Sequence, residues 1–256
     1  MSGRHGLTLV EACVDGVESA LAAERGGADR VELCADLPQG GTTPSGATIA
    51  VCRARLGIPV HVLVRPRGGD FHYTDLEFEV MRRDVQLTKE LGAQGVVIGL
   101  LRRNATVDVE RTRALIEVAR PLSVTFHRAF DVTRDAERAL EDLMGIGADR
   151  VLTSGQAATA AEGGALIARL VRSAGGEIGI IACGGINGPN VARLVAETRV
   201  REVHLRGASL VQSDMDYRPR DVRLGAPIPE NAVDWLATDP ARIRAVVTAL
   251  AGLGEQ

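Results

Sequence analysis

The stretch VTFHRAFD (124–131) places three ionisable residues at the end of an apolar run. His127 has the near-neutral pKa that suits a general acid–base catalyst. Arg128 has the opposite strand parity and is expected at the rim, beside the histidine. Asp131 can either orient His127 or cap the next helix, and we favour the cap because aspartate is common at helix starts. His127 is therefore the strongest catalytic candidate in this stretch.

A repeated Glu-x-Cys pattern is the second chemical feature. It occurs as EAC (11–13) and as ELC (32–34). Two thiols at neighbouring strand ends can bind a soft ion such as Cu(I). Alternatively, Cys13 and Cys34 are small buried core residues, and the spacing alone favours this second interpretation. Whether the two sulfur atoms meet depends on the stagger of the strands.

Eight short β-rich runs alternate with Ala- and Leu-rich helical segments along the chain. This alternation is typical of parallel βαβ units. Eight such units predict a single-domain (β/α)8 TIM barrel over residues 1–256. An open doubly wound sheet is the alternative, and the lack of GxGxxG after the first run weakens it. The runs are residues 7–14, 29–36, 58–66, 95–101, 122–130, 149–155, 178–186 and 200–207.

The last unit is irregular. Residues 208–239 are rich in Pro, Asp and Arg. They predict a loop or extension that serves as a lid or a subunit contact. The following stretch, DPARIRAVVTALAGLG (239–254), starts with Asp before Pro and ends in Gly. These are helix start and stop signals, so it predicts the last barrel helix.

Side-chain alternation separates two faces of each predicted strand. In the first run, Val10 and Ala12 are expected under the helices, and Glu11 and Cys13 on the barrel axis. A TIM-barrel interior is normally filled by branched apolar residues, and a buried charge is costly unless it is paired. The polar axis therefore predicts either a paired ion network or a catalytic and anion-binding pocket, and we favour the pocket. Its expected members are Glu11, Glu32, His61, Arg65, His127, His204 and Arg206.

Glycine-rich and arginine-rich loops follow several of the strands. RPRGGDFHYT (65–74) follows the third strand, and CGGIN (183–187) follows the seventh. Such loops present backbone N–H groups and guanidinium groups to anions at the carboxyl ends of barrel strands. We expect them to bind a small anionic ligand. The candidate substrate-binding residues are Arg65, Arg67, Asp70, Arg128, Gly184, Gly185, His204 and Arg206.

Composition excludes several classes of function. The 256 residues carry a net charge of -3 and no long basic run, so neither nucleic acid nor an anionic membrane is an expected partner. No apolar stretch is long enough to span a bilayer. The early polar residues are unlike a signal peptide. The four cysteines match no zinc template, and we expect a cytoplasmic protein with reduced thiols.

Five longer motifs resemble the CutC-type copper homeostasis protein family. The motifs are GADRVELCADLPQGGTTPS (27–45), IPVHVLVRPRGGDFHYTDLE (58–77), VTFHRAFD (124–131), RVLTSGQ (150–156) and EVHL (202–205), and the similarity extends over about residues 7–217. The resemblance implies a (β/α)8 barrel, a cytoplasmic location, a homodimer or higher homo-oligomer, and a role in copper handling. Cys34 matches the family's VELC motif. The family often has adjacent cysteines near the first strand, where this chain has only Cys13.

Two functions from different classes follow. The first is a copper-handling protein that binds Cu(I) as its ligand through Cys13 and Cys34. The second is an enzyme acting on a small anionic or phosphorylated metabolite. In it His127 is the general acid–base, Glu11 or Glu32 is its carboxylate partner, and arginines hold the anion. A scaffold protein with a salt-bridged barrel interior ranks last. Whether the protein is an enzyme stays open at this stage.

Overall fold

A computed structural model describes residues 8–217 and 234–253. Eight parallel strands pair in chain order, and β1 pairs with both β2 and β8, which closes the barrel. The predicted (β/α)8 TIM barrel is confirmed. The strands are β1 Leu9–Val14, β2 Arg30–Leu33, β3 Val60–Leu63, β4 Gly95–Ile98, β5 Ser123–Phe126, β6 Arg150–Thr153, β7 Gly179–Cys183 and β8 Glu202–Leu205.

Helices follow the strands and form the outer layer. Several begin at a side chain that accepts a hydrogen bond from the first turn, as with Ser45, Asp108 and Asp239. Thr74 and Glu77 form a capping box at the start of α3. The helices are α1 Val17–Gly26, α2 Gly46–Arg55, α3 Asp75–Glu90, α4 Val109–Ala119, α5 Ala136–Gly145, α6 Gly164–Ala174, α7 Gly188–Thr198 and α8 Pro240–Ala251.

The capping role predicted for Asp131 is wrong. The N-cap of α5 is Asp135, whose side chain accepts from the N–H of Arg138. Asp131 lies within a 3₁₀ helix, Arg128–Val132, that directly follows β5. Its carboxylate accepts hydrogen bonds from the hydroxyl of Thr153 and the N–H of Ser154. Asp131 therefore joins the end of β5 to the end of β6.

The main core lies between the barrel and the helices. Val10, Ala12 and Val31 are buried there, as the alternation predicts. A fully buried aliphatic side chain contributes about 1.5 to 3 kcal/mol, so this layer provides most of the stability. Two small apolar clusters lie inside the barrel. One is Cys34, Leu63 and Val97, and the other is Leu152, Ile181 and Cys183.

The ends of segment 208–239 are more regular than predicted. β9 (Ala208–Val211) and β10 (Trp235–Thr238) form an antiparallel pair. The N–H of Thr238 donates to the hydroxyl of Ser19 at 3.4 Å, which holds β10 against α1. The middle of the predicted loop, 218–233, lies outside the described residues. Among the helices that the structure does describe, none is long and apolar enough to cross a membrane.

Candidate functional site

A chain of ion pairs lies on the barrel axis near the amino-terminal ends of the strands. Arg30 of β2 donates from Nε to Glu11 of β1, its neighbour in the strand register. Its Nη2 donates to Glu202 of β8 at 2.7 Å. Arg150 of β6 binds the same Glu202 carboxylate at 2.9 Å. The paired network that we ranked below the pocket is therefore present at this level of the barrel.

We did not predict Glu202 and Arg150 as members of this network from the sequence. Each lies two residues before another inward-facing residue, His204 on β8 and Leu152 on β6. Applying the same alternation to those strands would have found both. The inward direction of Arg30 follows from the same rule.

His204 lies between two carboxylates, on the carboxyl-terminal side of this network. Its Nδ1 is 2.7 Å from Glu11 Oε1, and its Nε2 is 3.4 Å from Glu32 Oε2. Burial opposes the charged ring, but hydrogen bonds with Cys13 and Glu11 and the charge of Glu32 raise the pKa of His204 well above its usual value. The imidazolium form is therefore the stable one at this position.

The two carboxylates respond oppositely to the same surroundings. Burial favours the neutral acid in both, but the charges of Arg30 and His204 hold the pKa of Glu11 well below its usual range. Burial, helped by the charges of Cys13 and Glu11, raises the pKa of Glu32 to about 8. Glu11 is thus a fixed anion, while Glu32 is the carboxyl that can exchange a proton near neutral pH.

The Cys13 and Cys34 sulfur atoms meet at the mouth of the barrel, 3.8 Å apart. A hydrogen bond with Cys34 lowers the pKa of Cys13 to about 6, against the opposing effect of burial and with further help from His204. The same hydrogen bond and burial raise the pKa of Cys34 well above its usual value. Cys13 is therefore the thiol of the pair that ionises more readily.

Arg65 binds the loop that follows β2, around residues 37–41, and so fixes this loop over Cys34. Its guanidinium donates to the carbonyl groups of Gln39 and Gly41 at 2.9 and 2.7 Å, and to that of Gly69 at 2.8 Å. Leu37, in the same loop, packs on the Cys34 cluster. Arg65 was expected to bind an anion, but both of its terminal nitrogens donate to the protein's own backbone, and its buried Nε has no hydrogen-bond partner among the described residues.

Removing this clamp is expected to expose Cys34. Replacing Arg65 by Met removes hydrogen bonds from a charged donor, and each contributes about 1.5 to 3 kcal/mol. If the free energy of local opening falls by about 2 to 3 kcal/mol, alkylation of Cys34 by iodoacetamide becomes roughly thirty- to 150-fold faster. Mass spectrometry of the labelled peptide measures this rate. Arg67→Met is the matched control, and an equal acceleration there would contradict the clamp.

His127 does not pair with either glutamate, so the expected histidine–carboxylate pair is wrong. Its Nδ1 accepts the N–H of Ala129 at 3.0 Å, and its ring centroid is 5.0 Å from that of Phe71. Nε2 has no hydrogen-bond partner within the described residues. Burial, and then the charge of Arg65, lower the pKa of His127 to about 3. The ring is neutral at pH 7, which does not suit a general acid.

Two other expected anion-binding arginines are held by carboxylates of neighbouring residues. Arg128 donates to Asp131 at 2.8 Å and to the hydroxyl of Ser154 at 2.9 Å. Arg67 donates to Glu77 at 2.6 Å and to Asp70 at 3.0 Å. Both therefore shape the rim, and an anion would have to compete with these partners.

The remaining expected residues are Arg206, Gly184 and Gly185. Arg206 is 3.7 Å from Asp15 in a partly exposed ion pair beyond β8. Gly184 and Gly185 both have positive φ, 95° and 72°, and they form the turn that leads into α7. Glycine is needed at these two positions for backbone conformation, whatever the loop binds.

The structure thus brings together five of the predicted residues in one cluster. Around its thiol pair are one fixed anion, one cationic ring and one carboxyl with a raised pKa. Such a set can bind a metal ion or move a proton. The members are Glu11, Cys13, Glu32, Cys34 and His204.

Comparisons with known proteins give a consistent result. Residues 8–209 match the CutC family. A CutC family protein of Chromobacterium violaceum is 46% identical over 245 residues, covering 94% of this chain and 98% of the relative. The human copper homeostasis protein cutC homolog is 45% identical over 246 residues, covering 95% and 90%. The solved structure of CutC from Streptococcus agalactiae aligns with a TM-score of 0.74 at 34% identity, covering 77% of this chain and 97% of that one.

Proposed function

This chain belongs to the CutC copper homeostasis family, and we propose that it binds Cu(I) through the sulfur atoms of Cys13 and Cys34. The observation that carries the proposal is the 3.8 Å distance between the two Sγ atoms. Soft thiolate ligands select Cu(I) over harder ions. The copper ion is the protein's cargo in this proposal.

The charges around the pair favour a monovalent soft cation. Cys13 has a lowered pKa and is ready to bind, whereas Cys34 must first lose its proton. Cu(I) replaces that proton, because a metal binds the deprotonated thiol. His204 stays as a cation beside the pair and balances the second thiolate.

Access to the site is from the mouth of the barrel. Cys13 is partly exposed, while Cys34 is 2% exposed under Leu37 and Gly41. A Cu(I) ion therefore meets Cys13 first and reaches Cys34 when the loop held by Arg65 opens. A cytoplasmic location is part of the proposal and is supported by four free cysteines, two of them the proposed ligands. We also propose a homodimer or higher homo-oligomer, as the family resemblance implies.

Cu(I) affinity of cysteine variants tests the proposal. Cys13→Ser, Cys34→Ser and the double variant are titrated without oxygen against a chromophoric Cu(I) chelator. Substituting a residue that hydrogen-bonds to a metal ligand typically costs about ten- to a hundredfold in metal affinity. Loss of the ligands themselves is therefore expected to cost at least about a hundredfold. Cys52→Ser is the control, because Cys52 is a buried residue of α2, in the core outside the barrel.

Wild-type affinity in the double variant contradicts the proposed site. Equal losses in Cys52→Ser and the double variant also contradict it, because the effect would then come from general destabilisation. Circular dichroism of each variant checks that the barrel remains folded.

A further inference from the structure

A second set of possible metal ligands overlaps the thiol pair. Cys13, Glu32 and His204 each offer one ligand atom, and the three atoms lie within 4.8 Å of one another. They project inward from the adjacent strands β1, β2 and β8. Thiolate, carboxylate and imidazole are the three ligand types that proteins use for Zn²⁺. Because a metal binds deprotonated ligands, Zn²⁺ would displace the proton on His204 Nε2 and the proton of Glu32 into solvent. Cys34 does not belong to this set.

The histidine is oriented as a metal-binding histidine. Its Nδ1 faces Glu11 at 2.7 Å, which directs Nε2 towards Glu32 Oε2 at 3.4 Å. A carboxylate behind the other ring nitrogen is the usual companion of a zinc-bound histidine, because it fixes the ring and its tautomer. Glu11 is itself held by Arg30, so this support is rigid.

We propose that Cys13, Glu32 and His204 form a binding site for a divalent cation of the Zn²⁺ class, which shares Cys13 with the Cu(I) pair. Ions such as Mg²⁺ and Ca²⁺ do not fit, because they take oxygen ligands only. Tetrahedral Zn²⁺ has bonds of about 2.0 to 2.3 Å, so small rotations of these side chains complete the coordination. Three protein ligands leave the fourth position open to water or to a small ligand.

Sharing Cys13 has a consequence for the proposed function. One thiolate cannot complete both sites in their full form, so Zn²⁺ and Cu(I) compete for this protein. Only the competition rests on the Cu(I) proposal, since Zn²⁺ binding needs neither Cys34 nor copper. The two sites are therefore separable by variants that change one ligand set and leave the other intact.

The test measures both metals on the same variants of the full chain. Zn²⁺ affinity is taken by competition with a chromophoric chelator, and Co²⁺ is used as an optical probe for thiolate and imidazole ligation. Glu32→Gln and His204→Gln are expected to weaken Zn²⁺ by about ten- to a hundredfold. Glu32→Gln should change Cu(I) affinity much less, whereas His204→Gln also removes the cation beside the two thiolates and is expected to weaken both metals. Cys34→Ser should show the reverse pattern, and Cys13→Ser should weaken both.

Each outcome decides one proposal. If Zn²⁺ does not bind one-to-one, or if Glu32→Gln and His204→Gln both keep wild-type Zn²⁺ affinity, the divalent site is overturned. If Zn²⁺ behaves as expected while Cys34→Ser leaves Cu(I) affinity unchanged, the divalent site stands and the Cu(I) pair is overturned. Circular dichroism of metal-free Glu32→Gln, a nearly isosteric change, separates loss of a ligand from loss of fold.

Discussion

Replacing Arg30 by Met is expected to lower the free energy of unfolding by about 3 to 5 kcal/mol. Arg30 and Glu11 are 3% and 1% exposed, and Arg30 also binds Glu202. Without the guanidinium, Glu11 remains as a buried carboxylate that has lost its strongest partner. Removing one member of a buried ion pair costs far more than the intact pair contributes. Urea unfolding followed by circular dichroism measures the loss.

A surface arginine is the matched control. Arg83 pairs with Glu79 on the exposed face of α3, and Arg83→Met should cost less than about 1 kcal/mol. The double variant Arg30→Met, Glu11→Gln should recover part of the loss, because Glu11 is no longer charged. A loss below about 1 kcal/mol for Arg30→Met alone would show that the barrel axis is hydrated and that this pair is not essential.

Acidification from about pH 6.5 to pH 5 is expected to cost the fold roughly 3 kcal/mol through two histidines. Glu32 offsets roughly 2 kcal/mol of this, because its raised pKa favours the protonated folded chain as pH falls. Burial lowers the pKa of both His61 and His127 to about 3. Below 6.5 the unfolded chain binds protons that the folded chain does not, so stability falls as pH falls. Each histidine contributes about 0.7 kcal/mol per pH unit at pH 6.5, where the unfolded ring is half protonated, and about 1.4 kcal/mol per pH unit near pH 5. Urea unfolding across this range measures the slope.

His127→Asn tests the assignment. Asparagine is a good N-cap, so it can still accept the N–H of Ala129 while lacking a titratable ring. The variant should lose the contribution of one histidine, roughly 1.5 kcal/mol of the acid destabilisation between pH 6.5 and pH 5. His204 and Glu32 do not obscure the result, because both are present in the wild type and the variant and their contributions cancel in the comparison. A slope identical to that of the wild type would contradict the assignment.

The fold and the inward set of residues could be predicted because both depend on local rules. Strand and helix periodicity are properties of neighbouring residues, and eight alternating units have few compact solutions. Side-chain alternation placed Glu11, Glu32 and His204 on the axis correctly. It also placed Val10 and Val31 under the helices.

The partners of these residues could not be predicted, because they depend on the stagger between strands. Alternation alone does not say which inward residues share a level of the barrel. The strand register of the closed barrel pairs Glu11 with Arg30 and His204, whereas from the sequence we had proposed Glu11 as a partner of His127. It also decides that the Cys13 and Cys34 sulfur atoms meet, which spacing had left open.

The sequence by itself therefore determined the barrel, the direction of each strand's side chains and the chemical types on the axis. Only the tertiary structure decided how those side chains are used. Arg65 binds loop carbonyl groups, and the neutral ring of His127 caps a short helix. The reason is physical: direction along a strand is set by the nearest neighbours in the chain, but burial and charge pairing are set by residues many positions away, which only the closed barrel brings into contact.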